Sequence, residues 1–172
     1  MSISIAYFVS YSHADKRLAH RLLDLIQPRL AIQKGFSFSQ WIDNAIDPGQ
    51  HWSDEISTAL ATCDFGLMLI SPSFLASGFI RTEELPVFIE QVRSGTSLTH
   101  TRVRKPLVPV MLEQVPLDGT ADLSGLEQIQ IFRDRDGRSF ATTRGPNSTA
   151  FADQLVSAIT TKLRRLNSAA VP

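Results

Sequence analysis

Five short apolar runs are distributed along the chain, and each has the length of a β-strand. The predicted strands are residues 3–9, 36–42, 65–70, 107–112 and 129–132. The first and third are apolar at nearly every position, which is typical of parallel strands that are covered on both faces. The second includes three polar side chains and is predicted to lie nearer the edge of the sheet. Pro109 within the fourth also favours an edge or a bulge.

Between the predicted strands, apolar residues recur at spacings of three and four, the pattern of a helix with one buried face. The first predicted helix follows a capping box of Ser12 and Asp15 and ends or kinks near Pro28. The third begins near residues 82–83, with Pro86 in its first turn. The inward-facing residues are Leu18, Leu22, Leu25 and Ile26 in the first helix, Ile56, Ala59 and Leu60 in the second, Leu85, Phe88, Ile89 and Val92 in the third, and Phe151, Leu155, Ile159, Leu163 and Leu166 in the last.

Strands that alternate with helices predict an α/β fold, because parallel neighbours are joined by right-handed helical crossovers. We therefore expect a flavodoxin-like three-layer sandwich, with helices on both faces of a five-stranded parallel sheet in the order 2-1-3-4-5. The polar segments 71–78 and 94–104 are expected to be loops. In such a sheet, ligands bind outside the carboxyl ends of the strands, at the switch point between strands one and three.

Composition narrows the class of protein. The 172 residues, 43% of them hydrophobic, fit one domain over 1–166, followed by a disordered tail or truncated linker over 167–172. Seventeen basic residues balance seventeen acidic ones, so no global field favours nucleic acid or an anionic membrane. No apolar run approaches the roughly 18 to 20 residues of a membrane-spanning helix. Cys63 is the single cysteine and no signal-peptide pattern is evident, which together predict a cytoplasmic protein.

Polar residues follow three of the predicted strands at the expected ligand-binding edge. Ser10 and Tyr11 follow the first strand, Asp43 follows the second, and a Ser/Pro/Gly segment that begins at Ser71 and leads to Glu83 follows the third. Because the carboxyl ends of parallel strands meet at one edge, these groups are expected to converge. The sequence therefore predicts a binding site there.

Other residues that could carry chemistry are interpreted as structural. The four histidines show no metal-ligand spacing with cysteines or carboxylates, so no metal site is expected. We interpret Glu84 as a solvated charge at a helix start, Cys63 as a small buried residue, Trp41 and Trp52 as packing residues, and Arg102, Arg104 and Lys105 as a solvated loop.

Several segments together resemble, in order, the signature boxes of Toll/interleukin-1 receptor (TIR) domains. The first is Phe-Val-Ser-Tyr-Ser-His-Ala-Asp at 8–15, the second is Trp-Ile-Asp at 41–43 with Pro-Gly-Gln-His-Trp at 48–52, and the third is Cys-Asp at 63–64 through Leu-Ile-Ser-Pro-Ser-Phe-Leu-Ala-Ser at 69–77. Phe79 and Glu83 complete the third box. The resemblance covers almost the whole chain, from about Ile5 to Leu163.

Many bacterial and plant members of that family cleave NAD with one glutamate in a Trp-x-x-x-Glu pattern. The resemblance implies that Glu83 is the catalytic residue here and that Phe79 takes the place of the tryptophan. It also implies that Ser10, Tyr11, Asp43 and Ser71 contact the substrate. Asp47, Pro48, Gly49 and Trp52 correspond to the BB loop, through which such domains assemble.

The chemistry explains how one carboxylate could suffice. Glycosidases usually need an acid for the leaving oxygen as well as a second carboxylate. Nicotinamide leaves a cationic glycoside as a neutral amide and needs no proton, so only the developing ribosyl cation requires stabilisation. A position at a helix N-terminus would keep Glu83 ionised.

The resemblance implies NAD⁺ as substrate, no cofactor, and activation by association with other TIR domains, in a bacterial anti-phage or immune effector. A sensor on a separate chain or a fused domain is expected, and the product is either linear ADP-ribose or a cyclic isomer. The alternative is a non-enzymatic adaptor that acts only through TIR–TIR association. The aromatic-x-x-x-Glu spacing, which adaptors commonly lack, favours the enzyme.

Overall fold

The computed structural model describes residues 2–42 and 52–169, the side chains of residues 52 and 53 excepted. The strands are β1 (Ile3–Ser10), β2 (Phe36–Ile42), β3 (Phe65–Ile70), β4 (Ile89–Ser94), β5 (Ser97–Val103) and β6 (Leu107–Met111). The helices are α1 (Lys16–Ala31), α2 (Trp52–Thr62), α3 (Pro72–Ala76), a π-helix (Ile80–Glu84), α4 (Leu85–Phe88) and α5 (Pro146–Ala169). Short 3₁₀ turns lie at His13–Asp15, Leu126–Gln128 and Phe140–Thr142.

A four-stranded parallel sheet in the order β2-β1-β3-β6 organises the described residues. All six residues of β3 are buried, as its continuous apolar sequence predicts for a strand covered on both faces. Pro109 lies in β6, opposite Met68, at the outer side of the four strands. The expectation that this proline lies near an edge is therefore confirmed.

The prediction of five strands was wrong, because the fifth is reduced to one parallel bridge between Val110 and Phe132. The Phe132 N–H donates to the Pro109 carbonyl at 2.7 Å, and the Phe132 carbonyl accepts from Met111 at 2.9 Å. A 3₁₀ turn ends just before this point, and two residues after Phe132 the Asp134 carboxylate accepts the Asp136 N–H and closes a turn. The extended stretch is therefore too short to form a strand.

The third predicted helix and the loop after it were also partly wrong. The helix ends at Phe88, and β4 and β5 form an antiparallel hairpin where the polar pattern predicted first helix and then loop. Ser94 pairs with Ser97, so Gly95 and Thr96 form a two-residue turn, with Gly95 at φ +62°. Glycine at the first central position is a hairpin signal, because it accepts positive φ without steric cost.

Two apolar cores lie on the two faces of the sheet. The α1 and α5 helices pack against each other and cover one face, where Leu22, Ile26 and Leu155 are buried. The α2, α3 and α4 helices contribute to the other core, through residues such as Leu60, Phe74 and Phe88. The predicted three-layer arrangement with helices on both faces is therefore confirmed.

Both long helices differ from prediction at their ends. The α1 helix contains Pro28 and continues to Ala31, and α5 continues to Ala169, three residues beyond the predicted domain end at Leu166. Within the ranges 2–42 and 52–169, no helix combines the length and apolar character that a membrane crossing requires.

Candidate active site beside the π-helix

The segment that carries Glu83 and Glu84 has an unusual backbone. Helical backbone begins at Gly78, becomes a π-helix over Ile80–Glu84 and returns to α-helix in α4, where the Leu85 N–H donates to the Ile80 carbonyl five residues earlier. Pro86 gives a physical reason, because proline has no N–H to donate and its ring clashes with the carbonyl four residues before it in an α-helix. The wider turn moves that carbonyl aside. Such π-bulges occur frequently at functional sites.

Glu83 and Phe79 line one cavity of about 590 Å³ between this segment and α2. Glu83 is exposed and Phe79 is half-buried. The other described residues that line it are Ile56, Ser57, Leu60, Ala61 and Val87. The aromatic ring and the carboxylate that the sequence paired by spacing therefore share one concave site with largely apolar walls.

Glu83 does not lie at a helix N-terminus, so that expectation was wrong. The helical backbone begins at Gly78, which places Glu83 in the second turn. The favourable effect of the helix dipole on a carboxylate falls off within the first turn.

Glu84 is buried, with 3% of its surface exposed, and its carboxylate accepts a hydrogen bond from the Ser10 hydroxyl. Its interpretation as a solvated charge was therefore wrong. Ser10 is the last residue of β1 and is itself buried. The bond ties the π-helix to the carboxyl end of a central strand, so Ser10 contacts Glu84 and not Glu83.

A second acid–hydroxyl pair joins the turn after β1 to the residue that follows β3. The Ser71 hydroxyl donates to the buried Asp15 carboxylate, and its oxygen accepts the Phe74 N–H at 2.9 Å as the N-cap of α3. The predicted capping box was wrong, because Ser12 makes no side-chain cap and the Asp15 side chain instead contacts Ser71. The segment expected to be a loop is thus a short capped helix.

Tyr11 turns away from the cavity that Glu83 lines. Its hydroxyl lies 3.1 Å from Nε2 of His20 on α1, and its ring meets the His20 ring edge-on. Tyr11 belongs to the core between the sheet and the α1–α5 pair, on the face opposite the cavity. The structure therefore does not bring Tyr11 to the predicted substrate site.

The predicted substrate contact Asp43 and most of the predicted BB-loop residues fall outside what is described. Asp43, Asp47, Pro48 and Gly49 lie outside the described residues, and Trp52 is described only as the first residue of α2. Their predicted roles stay predictions. Trp41 stacks on Phe8 at 4.9 Å between ring centroids, which supports its role in packing.

Lys105 holds α2 in place at its carboxyl end. Its ammonium donates to the carbonyls of Leu60 at 2.7 Å and Ala61 at 2.9 Å, which caps the helix. The interpretation of Lys105 as part of a solvated loop was therefore wrong, and Arg104 forms a salt bridge with Glu90 at 3.0 Å.

Cys63 is buried beside that helix end, and its thiol donates to the Leu60 carbonyl at 3.4 Å. Burial raises the pKa of this thiol, a change that the nearby Lys105 ammonium only partly offsets.

Sequence reasoning missed the α2 wall of the cavity and the buried carboxylate. Helical spacing placed Ile56 and Leu60 inward, but it carried no sign that Ser57 and Ala61 would border a cavity. Pro86, two residues after the acidic pair, was the available signal that the segment is not regular α-helix. Across the described residues, no group of three or more His, Cys, Asp or Glu side chains is arranged to hold a metal ion.

The family model described as TIR domain matches residues 8–143. The matched range includes the end of β1, the cavity, both acid–hydroxyl pairs and β6. No curated protein matches the chain significantly.

Proposed function

The chain belongs to the TIR domain family, and from that premise we propose that it is an NAD⁺ glycohydrolase with Glu83 as its catalytic carboxylate. The observation that carries the proposal is that Glu83 and Phe79 line one concave cavity with apolar walls. TIR domains include NAD-cleaving enzymes, and a cavity of this size fits part of a dinucleotide.

The proposed reaction breaks the bond between the ribose anomeric carbon and the nicotinamide nitrogen. The electron pair goes to that nitrogen and cancels its positive charge, so nicotinamide leaves without needing a proton. The Glu83 carboxylate stabilises the positive charge that develops on the ribosyl carbon. Water then attacks that carbon and releases a proton, which gives ADP-ribose. An adenine nitrogen of the same molecule that attacks instead gives a cyclic isomer.

Phe79 is proposed to stack on the nicotinamide ring, because an aromatic ring offers a flat apolar surface to a planar ligand. The apolar side chains of α2 would keep water away from the reacting carbon and so strengthen the effect of the carboxylate. Ser10 and Ser71 would contribute indirectly, since their bonds to Glu84 and Asp15 fix the strand ends beside the cavity.

We also propose that self-association activates the enzyme. TIR domains associate with one another, and Asp47, Pro48, Gly49 and Trp52 correspond to the loop through which they do so. An anti-phage or immune role, with a separate or fused sensor as trigger, completes the proposal. Asp43 remains the proposed contact from the end of β2.

The test measures nicotinamide release from NAD⁺ by the wild type, Glu83→Gln and Glu55→Gln, each clustered on an oligomeric scaffold. Glu55 is an exposed glutamate on α2 that does not line the cavity, so it serves as the matched control. We expect release to be lost only in Glu83→Gln. Equal release from all three would refute the role of Glu83, and no release by clustered wild type would favour the adaptor. Chromatography of the products distinguishes linear from cyclic ADP-ribose.

A further inference from the structure

A second cavity, of about 720 Å³, lies between α5 and the segment that follows the Val110–Phe132 bridge. Among the described residues, four cations line it: Arg133 and Arg135 from the segment, and Lys162 and Arg165 from α5. None of the acidic side chains that the structure describes lines it. The chain as a whole has no net charge, so this concentration of positive charge is local.

The acidic residues closest in sequence are engaged by cations that lie outside the cavity. Arg138 pairs with Asp134 at 2.7 Å and with Asp136 at 2.8 Å, while Arg29 pairs with Asp153 at 2.5 Å. Asp134 and Asp136 alternate in sequence with Arg133 and Arg135. Both aspartates pair with Arg138, which lies outside the cavity, and not with the arginines that line it. Among the described residues, none of the four lining cations forms a salt bridge.

Lys162 is half-buried, and its ammonium donates to the Leu107 carbonyl at 2.7 Å. Burial lowers the pKa of this ammonium, because leaving water disfavours the charged form. An anion bound nearby would offset that cost. The lysine therefore supplies a fixed positive charge at the cavity wall, beside arginines that are exposed.

Apolar side chains complete the cavity. Phe132 and Leu166 line it together with the cations, and Phe132 packs edge-on against Phe151 at 5.3 Å between centroids. Guanidinium groups bind phosphate oxygens through paired hydrogen bonds, and an aromatic ring offers a surface for a planar base. The volume is that of a small-molecule site rather than of an extended groove.

We propose that this cavity binds a small phosphorylated ligand of the nucleotide class. The phosphates lie among Arg133, Arg135 and Arg165, and the base packs on Phe132 and Leu166. The α5 helix and Phe132 belong to the core on the α1 face of the sheet, whereas the cavity of Glu83 lies on the α2 face. Within the part of the chain that the structure describes, the two sites share no lining residue, so this binding stands independently of the proposed NAD⁺ cleavage.

The test is isothermal titration calorimetry of the whole chain with ADP, adenosine and pyrophosphate. We expect ADP to bind at least about tenfold more tightly than either of its parts, because only ADP uses both the cations and the apolar side chains. The affinity for ADP should fall as sodium chloride is raised, since exposed ion pairs are screened by salt. No ADP binding at millimolar concentration would overturn the proposal, and equal affinity for ADP and pyrophosphate would overturn the nucleotide class.

Variants locate the binding. Arg135→Ala/Arg165→Ala should weaken ADP binding at least about tenfold, while Arg164→Ala, an exposed arginine on the same helix that does not line the cavity, should leave it unchanged. Arg135→Lys/Arg165→Lys should be intermediate, because lysine keeps the charge but not the paired geometry. Wild-type affinity in the double alanine variant, with a native circular dichroism spectrum, would overturn the proposal.

Discussion

Replacing Ser10 with alanine removes a hydroxyl that donates to a buried carboxylate. Ser10 and Glu84 have only 2% and 3% of their surface exposed, so water cannot readily replace the lost hydrogen bond. Ser139 offers a matched control. It is fully buried, and its hydroxyl has no hydrogen-bond partner among the described residues.

The two substitutions should have different effects on the free energy of unfolding. Hydrogen bonds to charged groups contribute about 1.5–3 kcal/mol, so Ser10→Ala should lower the free energy of unfolding by about that amount. Ser139→Ala gives up no hydrogen bond and removes a buried, unsatisfied hydroxyl. Its free energy of unfolding should therefore be unchanged or raised, by up to about 1 kcal/mol.

Thermal unfolding followed by circular dichroism measures the change in stability of both variants. A domain of this size shifts its Tm by about 2–4 °C per kcal/mol, so Ser10→Ala should unfold about 3–12 °C below the wild type. Glu84→Gln, which keeps an acceptor for the Ser10 hydroxyl, should retain more stability than Glu84→Ala. If Ser10→Ala and Ser139→Ala unfold at the same temperature, the pair does not stabilise the fold and the reasoning is refuted.

Three further predictions concern packing, reactivity and acid stability. Gly66→Ala should lower the free energy of unfolding in urea by about 1–3 kcal/mol, because the added Cβ would lie 2.6 Å from the buried Phe88 ring; wild-type stability would contradict this. The Cys63 thiol should react with Ellman's reagent far more slowly in the folded than in the unfolded protein, since it is buried and its pKa is raised; equal rates would show that the site is open. Burial alone would raise the pKa of Asp134, but hydrogen bonds from the Arg138 N–H and guanidinium outweigh it and hold the pKa below its usual value. Asp134 therefore stabilises the fold above the unfolded pKa of about 3.9 and loses that contribution as pH falls through its lower folded value. Asp134→Asn should be less stable than wild type at pH 7, and the difference should shrink below about pH 4 in urea titrations at each pH; a constant difference would contradict the linkage.

The central strands and the packing of the helices could be predicted because burial dominates there. A run such as that of β3, apolar at every position, has few alternatives to a strand covered on both faces. The inward positions of α1 and α5 followed from spacing, and they pack in or against the core that the pattern indicated, except for Leu166, which is exposed. Those elements pack against one another through buried apolar side chains, and the positions of such side chains can be predicted from the local sequence.

The fifth predicted strand and the end of the third predicted helix depended on local interactions that compete with apolar periodicity. At Phe132 the extended chain is cut short by a turn built on the buried Asp134 carboxylate, which apolar periodicity does not register. After Phe88, residues 89 and 92 satisfy helical spacing equally well, but the Gly95 turn and the pairing with β5 prevail. Periodicity cannot separate two such readings in a segment this short.

The candidate site was predicted in part. Spacing paired Phe79 with Glu83, and the two line one cavity. The assignment of Glu84 to solvent treated it as a charge at a helix start, whereas Glu84 is the last residue of the π-helix and its carboxylate contacts Ser10. Whether a hydroxyl 74 residues away will meet a given carboxylate depends on tertiary structure, so no local pattern could have shown the pair.

Lys105 joins the two walls of the Glu83 cavity at one end. Its ammonium binds the last turn of α2, and its backbone N–H, together with that of Arg104, donates to the carbonyl of Phe88, where α4 ends. These hydrogen bonds hold the two walls together at the point where both helices end. Lys105 therefore limits how far the two walls can separate at this end of the cavity without breaking these hydrogen bonds.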